Sequence, residues 1–377
     1  MDFAFSTEQD DLRDLLRGFL RDVSPESEVR RLMGTGDGFD RDVWRRMAEQ
    51  LGLPGLIVPE EYGGSGAGFV ELGIVMEEMG AALVPTPYFG TAVLATTALL
   101  TAEDPAAAQD YLPAIAAGRC IATLAVVEDN GDWNPATSSC RASRDGIGWQ
   151  VDGAKMFVLD GTSADLVLLT AVTPAGVSLF AVDGQAAGLS RIPLATLDQT
   201  RKQARLELRD VPARLIGQEG AAVSIVSSVF DLAAVALAAE QVGGAQRALD
   251  MAVDYAKTRV QFGRQIGSFQ AVKHTCADLL IEVESARSAA YYALWSAAEQ
   301  RADLPLVASL AKAYCCDASF HVAAGNIQIH GGIGFTWEHP AHLYFKRAKA
   351  AQSMFGTSSY HLDLMARRLP GSLLAVR

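Results

Sequence analysis

Most of the familiar arrangements of reactive residues are absent from this chain. There is no G-x-x-x-x-G-K-[ST] phosphate loop, no G-x-S-x-G elbow, no H-E-x-x-H pair and no strand–G-x-G-x-x-G–helix unit, so a Rossmann dinucleotide site is not expected despite 34 glycines. Residues that could do chemistry gather towards the C-terminus instead, in YAKTRVQFGRQIGSFQAVKH (Tyr255 to His274) and QIHGGIGFTWEHPAHLYFKRAKA (Gln328 to Ala350). Taken singly, each has an ordinary structural reading. Arg259 is a cation at a helix end, where the C-terminal dipole favours it, and Gly331-Gly332 ends a helix. Glu240 is a lone carboxylate in the apolar run VALAAEQVGG. Burial there would raise its pKa towards that of a general base, although a buried carboxylate ordinarily has an arginine partner or caps a helix. His330 reads as a satisfied structural histidine. His339 and His342 lack a third ligand nearby, so no metal site is expected, and Asp160 and Trp133 receive no role.

Composition bounds the rest. A chain of 377 residues fits about two or three domains. Half its residues are hydrophobic and a fifth charged, the balance of a globular protein. A formal charge of -12 argues against a nucleic-acid partner, which would need a basic face for phosphates. No apolar run is read as approaching the ~20 residues of a membrane span, and MDFAFSTEQDDL is not a secretory leader. The five cysteines are odd in number, scattered and without C-x-x-C spacing, so neither a disulfide framework nor a zinc site is expected. Cys315 and Cys316 read as small core residues. A cytoplasmic protein is the simplest inference.

The elements that must position these residues fall into three blocks. Residues 1–117 read as helices: Ser6 and Gln9 can form a capping box, and Leu12, Leu15, Leu16, Phe19 and Leu20 make one apolar stripe. Residues 118–217 read as short β-rich runs divided by turns. In QARLELRD, Ala204, Leu206 and Leu208 alternate with charged residues, the period of a half-buried strand. This block is expected to be a small barrel or sandwich. Residues 218–377 read as a bundle of long helices: one from Ala221 to Lys257 that would run ~55 Å, one from near Ser268, and one after Pro305. The expected class is α+β: an N-terminal helical domain, a central β domain and a C-terminal long-helix bundle.

The two C-terminal segments together resemble the acyl-CoA dehydrogenase family, whose members carry R-x-x-F-G-x-x-I-x-x-F-Q followed by Q-x-x-G-G-x-G. The PEEYGGSG turn and the helix–β–helix order agree with it along nearly the whole chain. The resemblance implies FAD, with these segments holding the ADP half of a flavin bound mainly by a neighbouring subunit. It implies that Arg259 faces the pyrophosphate, where a guanidinium makes paired charge-assisted hydrogen bonds. Phe262 and Gly263 lie against the cofactor, Gln270 and Gln328 hydrogen-bond it, Gly331 and Gly332 let backbone N–H groups approach a phosphate, and Thr357 reaches the adenosine side.

The sequence also departs from the family pattern. The family reaction removes a proton beside a CoA thioester and passes a hydride from the next carbon to the flavin, which requires a fixed carboxylate. Most members place it in I-Y-E-G-T; the matching stretch here is Ser353-Met354-Phe355-Gly356-Thr357. Members that place it on the first bundle helix align it with Ala233. Neither side chain accepts a proton. The usual T-E-P-x-A-G-S-D loop reads VVEDNGDWNPATSS, and in Lys155-Met156-Phe157-Val158-Leu159-Asp160-Gly161 the family's flavin-facing threonine is Leu159. Such a pattern resembles the non-catalytic subunit of the family's α2β2 complexes, which act on bulky CoA thioesters including steroid side chains. The implied partners are an acyl-CoA substrate, a homologous catalytic subunit or a second copy of the chain, and an electron-transfer flavoprotein. Three alternatives stay open: a self-sufficient dehydrogenase using Glu240, seven residues beyond Ala233; a flavin oxidase or monooxygenase of the same fold; and a structural or acyl-CoA-binding module without flavin.

Overall fold

The computed structural model describes residues 5–146 and 148–369. Its backbone divides into two compact units, each assembled from separated stretches of chain. One takes the residues up to Val29, Phe69–Val84 and everything from Ala234; the other takes Arg30–Gly68 and Pro85–Ala233.

In the first unit, α1 (Thr7–Val23) starts at the capping box read from the sequence. Ser6 Oγ accepts from Gln9 N at 3.3 Å, and Ser6 N donates to Gln9 Oε1 at 2.9 Å. Leu16 and Leu20 are buried, whereas Leu15, expected on the same stripe, turns to solvent with 56% of its surface exposed. At 3.6 residues per turn it lies about 100° from Leu16, off the buried face. α2 (Glu26–Met33) begins in this unit and ends in the other, which also holds α3 (Arg41–Leu51); α4 (Phe69–Ala82) packs on α1. Glu77 and Glu78 of α4 are nearly buried; Arg13 pairs with Glu77 at 2.9 Å and Arg17 with Glu78 at 2.8 Å. The long helices follow: α7 (Ala222–Thr258), α8 (Gln270–Ala298), α9 (Leu304–His330), α10 (Ala341–Ser353) and α11 (Ser358–Arg368). The 37 residues of α7 match the length read from the sequence.

The run from Ala233 to Ala239 in α7 is entirely buried, as expected of a helix that is apolar all round. By length and composition alone α7 would qualify as a membrane span, contrary to the sequence reading, but two-thirds of its most apolar window (67%) is buried inside the fold. Where α4 meets α7 the backbones touch through glycine. A Cβ on Gly243 would lie 1.8 Å from Glu77 O, and one on Gly80 2.0 Å from Glu240 O.

The second unit holds α5 (Thr96–Thr101), preceded by a π-helical stretch Phe89–Ala95, α6 (Pro105–Ala116) and the β domain. Its strands are β1 (Ala122–Ala125), β2 (Arg141–Asp145), β3 (Gly148–Leu159), β4 (Leu166–Thr173), β5 (Gly176–Asp183), β6 (Leu189–Pro193) and β7 (Gln203–Ile216). They pair in the order β1-β4-β2-β3-β7-β5, and a β4–β5 ladder closes β4-β2-β3-β7-β5 into a barrel, with β6 along the outside of β7. Ala204, Leu206 and Leu208 point into its core with Val151, Leu169 and Phe180. Between Lys155 and Val158 the β3–β7 register shifts, and Phe157 takes a φ of +55° at that bulge.

Lys155 is fully buried. Its ammonium bonds Glu128 at 2.7 Å, Thr170 Oγ1 at 3.0 Å and Ser138 Oγ at 3.2 Å. Glu128 also accepts from Ser139 N at 2.8 Å and Cys140 N at 3.1 Å, so one carboxylate pins both ends of the Val126–Ser139 loop. Burial pushes its pKa up, but Lys155 and these donors outweigh it and hold the carboxyl at about 2. Lys155→Met is expected to cost about 3–5 kcal/mol at neutral pH, because it leaves a buried carboxylate without its cation. The folded pKa lies below the unfolded one, so this contribution is complete above about pH 4.5 and fades as pH falls towards 2. Urea titrations of both proteins at pH 7 and pH 3 should therefore show a large stability gap that shrinks in acid.

Candidate functional site

The first sequence segment begins where α7 runs out. Arg259 N donates to Tyr255 O and Arg259 O accepts from Ile266 N, both at 2.8 Å, so its backbone is fixed while its side chain is exposed. Next comes a two-stranded hairpin, β8 (Val260–Gln261) against β9 (Arg264–Gln265). Its turn is Phe262-Gly263, with φ of +54° and +76°. Both central residues of such a tight hairpin must be left-handed; glycine does this freely, phenylalanine under strain. Phe262 stands 90% exposed at the tip. Its ring meets the edge of Phe269 at 6.1 Å, and Arg264 lies 4.0 Å over the other aromatic. Gln270 then opens α8, whose N-cap, Phe269, offers no side-chain acceptor. The first N–H groups of that helix are left to other partners.

The second segment closes α9. Gln328 is exposed on the last turn and its carbonyl accepts the Gly331 N–H. Gly331 has a φ of +64°, which explains that glycine. Gly332 has neither a left-handed φ nor any atom within 4 Å of an added Cβ. Nothing among the described residues requires a glycine there, whereas Gly80 and Gly243 are explained by their backbone neighbours. Unobstructed backbone beside exposed Arg259 and Gln328 fits the ADP half of a dinucleotide cofactor.

The two segments are joined by a contact the sequence reading did not foresee. His330, the last residue of α9, stacks on Tyr255 of α7 at 4.3 Å and lies 4.2 Å from the His339 ring. Its Nδ1–H donates to Asn326 O at 2.9 Å, and burial lowers its pKa, so it is a structural histidine that brings Arg259 and the glycine pair into one neighbourhood. Thr357 caps α11, accepting from Tyr360 N at 3.3 Å, and no described contact ties it to that pair.

The stretch matched to the catalytic carboxylate lies between α10 and α11. Phe355 is buried, with 2% of its surface exposed and a φ of +57°. Its carbonyl accepts from His361 Nε2 at 3.0 Å, and the next carbonyl, Gly356 O, accepts from Lys312 Nζ at 3.1 Å. Ala233, the other aligned position, is fully buried in the second unit. Leu159 is buried at the end of β3, its carbonyl bonded to Thr123 Oγ1 at 2.7 Å. Glu240, the weak candidate base, is tied to Arg347 Nη1 in a buried ion pair. A carboxylate already engaged by a buried guanidinium is poorly placed to take a substrate proton. No cluster of residues suited to a metal ion occurs among the described residues.

Helical, β-barrel and long-helix blocks carrying this pair of segments define a flavoprotein dehydrogenase architecture. Residues 6–119 match the acyl-CoA dehydrogenase N-terminal domain model and residues 220–369 the C-terminal domain model. Acyl-CoA dehydrogenase IpdE2 of Mycobacterium tuberculosis is 36% identical, over 91% of this chain and 91% of its own length. Among solved structures, a variant of the Tcur3481-Tcur3483 steroid ACAD is 34% identical with a TM-score of 0.86, covering 98% of both chains. The ChsE4-ChsE5 complex of Mycobacterium tuberculosis is 30% identical with a TM-score of 0.89, covering 98% of this chain and 100% of that one. The chain belongs to the acyl-CoA dehydrogenase family of flavin-dependent enzymes.

The Glu240–Arg347 pair can be tested directly. Glu240→Gln is expected to lower stability by about 3–5 kcal/mol by stranding a buried guanidinium, read by chemical denaturation. Unchanged stability with lost proton abstraction would mean that Glu240 is a base after all.

Proposed function

We propose that this chain is the base-lacking half of a heteromeric, FAD-dependent acyl-CoA dehydrogenase that desaturates a bulky, steroid-derived CoA thioester. The carrying observation is Phe355, a buried hydrocarbon at the position matched to the catalytic glutamate, with alanine at the alternative position. The Glu240–Arg347 ion pair weakens the self-sufficient alternative. Two of the solved relatives bear paired names, and one of these is described as a steroid enzyme.

In this reading Arg259 grips the FAD pyrophosphate, Gln270 and Gln328 hydrogen-bond the ADP half, and Gly331 and Gly332 let it reach the backbone. Phe262 and Gly263 of the hairpin tip lie against it, and Thr357 meets the adenosine side. When bound, FAD supplies the hydride acceptor for the carbon β to the thioester. The proton from the α carbon goes to a carboxylate of the homologous partner, and an electron-transfer flavoprotein takes the electrons onward.

The visible spectrum tests this reading. The purified chain is expected to be colourless alone and yellow when co-expressed with a base-bearing family partner. Arg259→Ala should weaken flavin retention in that complex by about 10- to 100-fold, the worth of a charge-assisted hydrogen bond. A chain that is yellow alone and bleaches with an acyl-CoA would overturn the proposal.

A further inference from the structure

Lys312 sits near the middle of α9, fully buried, and among the described residues it has no ion pair. An ammonium in that position is costly unless backbone carbonyls solvate it. Its Nζ donates to Gly356 O at 3.1 Å and lies 3.5 Å from Gln352 O in the last turn of α10. The charge therefore caps the negative end of that helix as well as holding the loop beyond it.

His361, one turn into α11, holds the neighbouring peptide. Because a carbonyl cannot donate, the 3.0 Å bond to Phe355 O puts the imidazole proton on Nε2. Nδ1 is then a bare nitrogen, buried with no hydrogen-bond partner. A second proton would have no acceptor and would face Lys312. Burial first and the Lys312 charge second lower its pKa to about 4. Two successive carbonyls, those of Phe355 and Gly356, are thus held by two side chains from two helices. Between them the backbone is strained: Phe355 has a φ of +57° and Gly356 one of +108°. A Cβ on Gly356 would lie 2.3 Å from the Tyr360 ring. A bulky residue in the left-handed region is strained and persists only where its surroundings impose it.

We propose that Lys312 and His361 are positioning residues that fix the backbone of Gln352–Gly356, and with it the direction of the side chain at 355, whatever that side chain is. The inference rests on the reading of position 355 given above. It adds that the loop carrying residue 355 keeps its frame without a carboxylate.

Lys312→Met tests the clamp, because methionine fills similar space and removes a buried charge, so global stability should hold or rise. Hydrogen exchange of peptides spanning Met354–Thr357 should speed up at least tenfold while the helices keep their protection. The His361 titration, followed by NMR, should move up from about 4 towards the ordinary imidazole value. His361→Phe should loosen the same peptides. Phe355→Glu is then made with and without Lys312→Met, and exchange across Met354–Thr357 is compared. With the clamp intact, protection in Phe355→Glu should stay within about twofold of the parent chain, and it should fall at least tenfold when Lys312→Met is added. If exchange and the His361 titration are unchanged in Lys312→Met, the clamp is wrong. If both change as expected but Phe355→Glu by itself loosens the same peptides, the clamp stands and the reading of position 355 as a carboxylate's place fails. Should Lys312→Met fail to fold, the exchange of His361→Phe decides alone: unchanged protection at Met354–Thr357 overturns the proposal.

Discussion

The placement of α7 is the constraint on which the first unit depends, and backbone contact sets it. Gly243 and Gly80 allow α4 and α7 to approach until carbonyls of one helix occupy the space of a Cβ on the other. At such a distance the helices have no freedom to slide, because any register shift brings a side chain against a carbonyl. The buried Glu240–Arg347 pair then ties α7 to α10. It contributes little net stability, since desolvating two charges offsets most of their attraction, but a shift that separates them is heavily penalised. Twelve residues of α7 beyond Gly243 lead to Tyr255, and so to Arg259. A helix pinned at its middle carries its C-terminal residues to a fixed place.

That place is shared with α9 through the Tyr255–His330 stack. A stacked pair at the ends of two helices is a modest interaction, worth about 0.5–1.5 kcal/mol, yet its position matters more than its size. On one side it leads into the hairpin with Arg259 and Phe262, and on the other into Gly331 and Gly332. The polar groups of the candidate cofactor site need no contacts among themselves; they are held by helices that are held elsewhere.

Much of this was legible in the sequence, and what was not has particular causes. The length of α7 was readable because no proline interrupts it, and the β7 alternation because one face of that strand fills the barrel. Leu15 was misplaced because it sits at the edge of a wide i, i+3, i+4 stripe whose buried part here is centred on Leu16 and Leu20. The apolar α7 was not noticed as long enough to span a membrane because polar residues such as Glu240 and Gln241 punctuate it. Glu128 and Lys155 were both visible, 27 residues apart, but nothing local marks two residues as partners across a barrel wall. Lys312 left one faint signal, a lysine in the otherwise apolar ASLAKAYCC. His361 left none, since its role depends on where α11 turns. Local pattern reports secondary structure and burial; pairing between distant elements is fixed only by the fold.

This distinction bears on how the loop at residue 355 is held independently of the side chain it carries. The groups that would hold the ADP half and the loop that carries residue 355 lie far apart in sequence, but α9 serves both. Its C-terminal turn supplies Gln328 and Gly331, and Lys312, 16 residues earlier, bonds the loop after α10. Changing the side chain at 355 disturbs neither end of that helix. Moving the loop would strand a buried ammonium and press on the helix that presents the glycine pair. A chain that keeps the helix presenting the glycine pair is therefore under physical constraint to keep the loop as well, including its left-handed turn at Phe355.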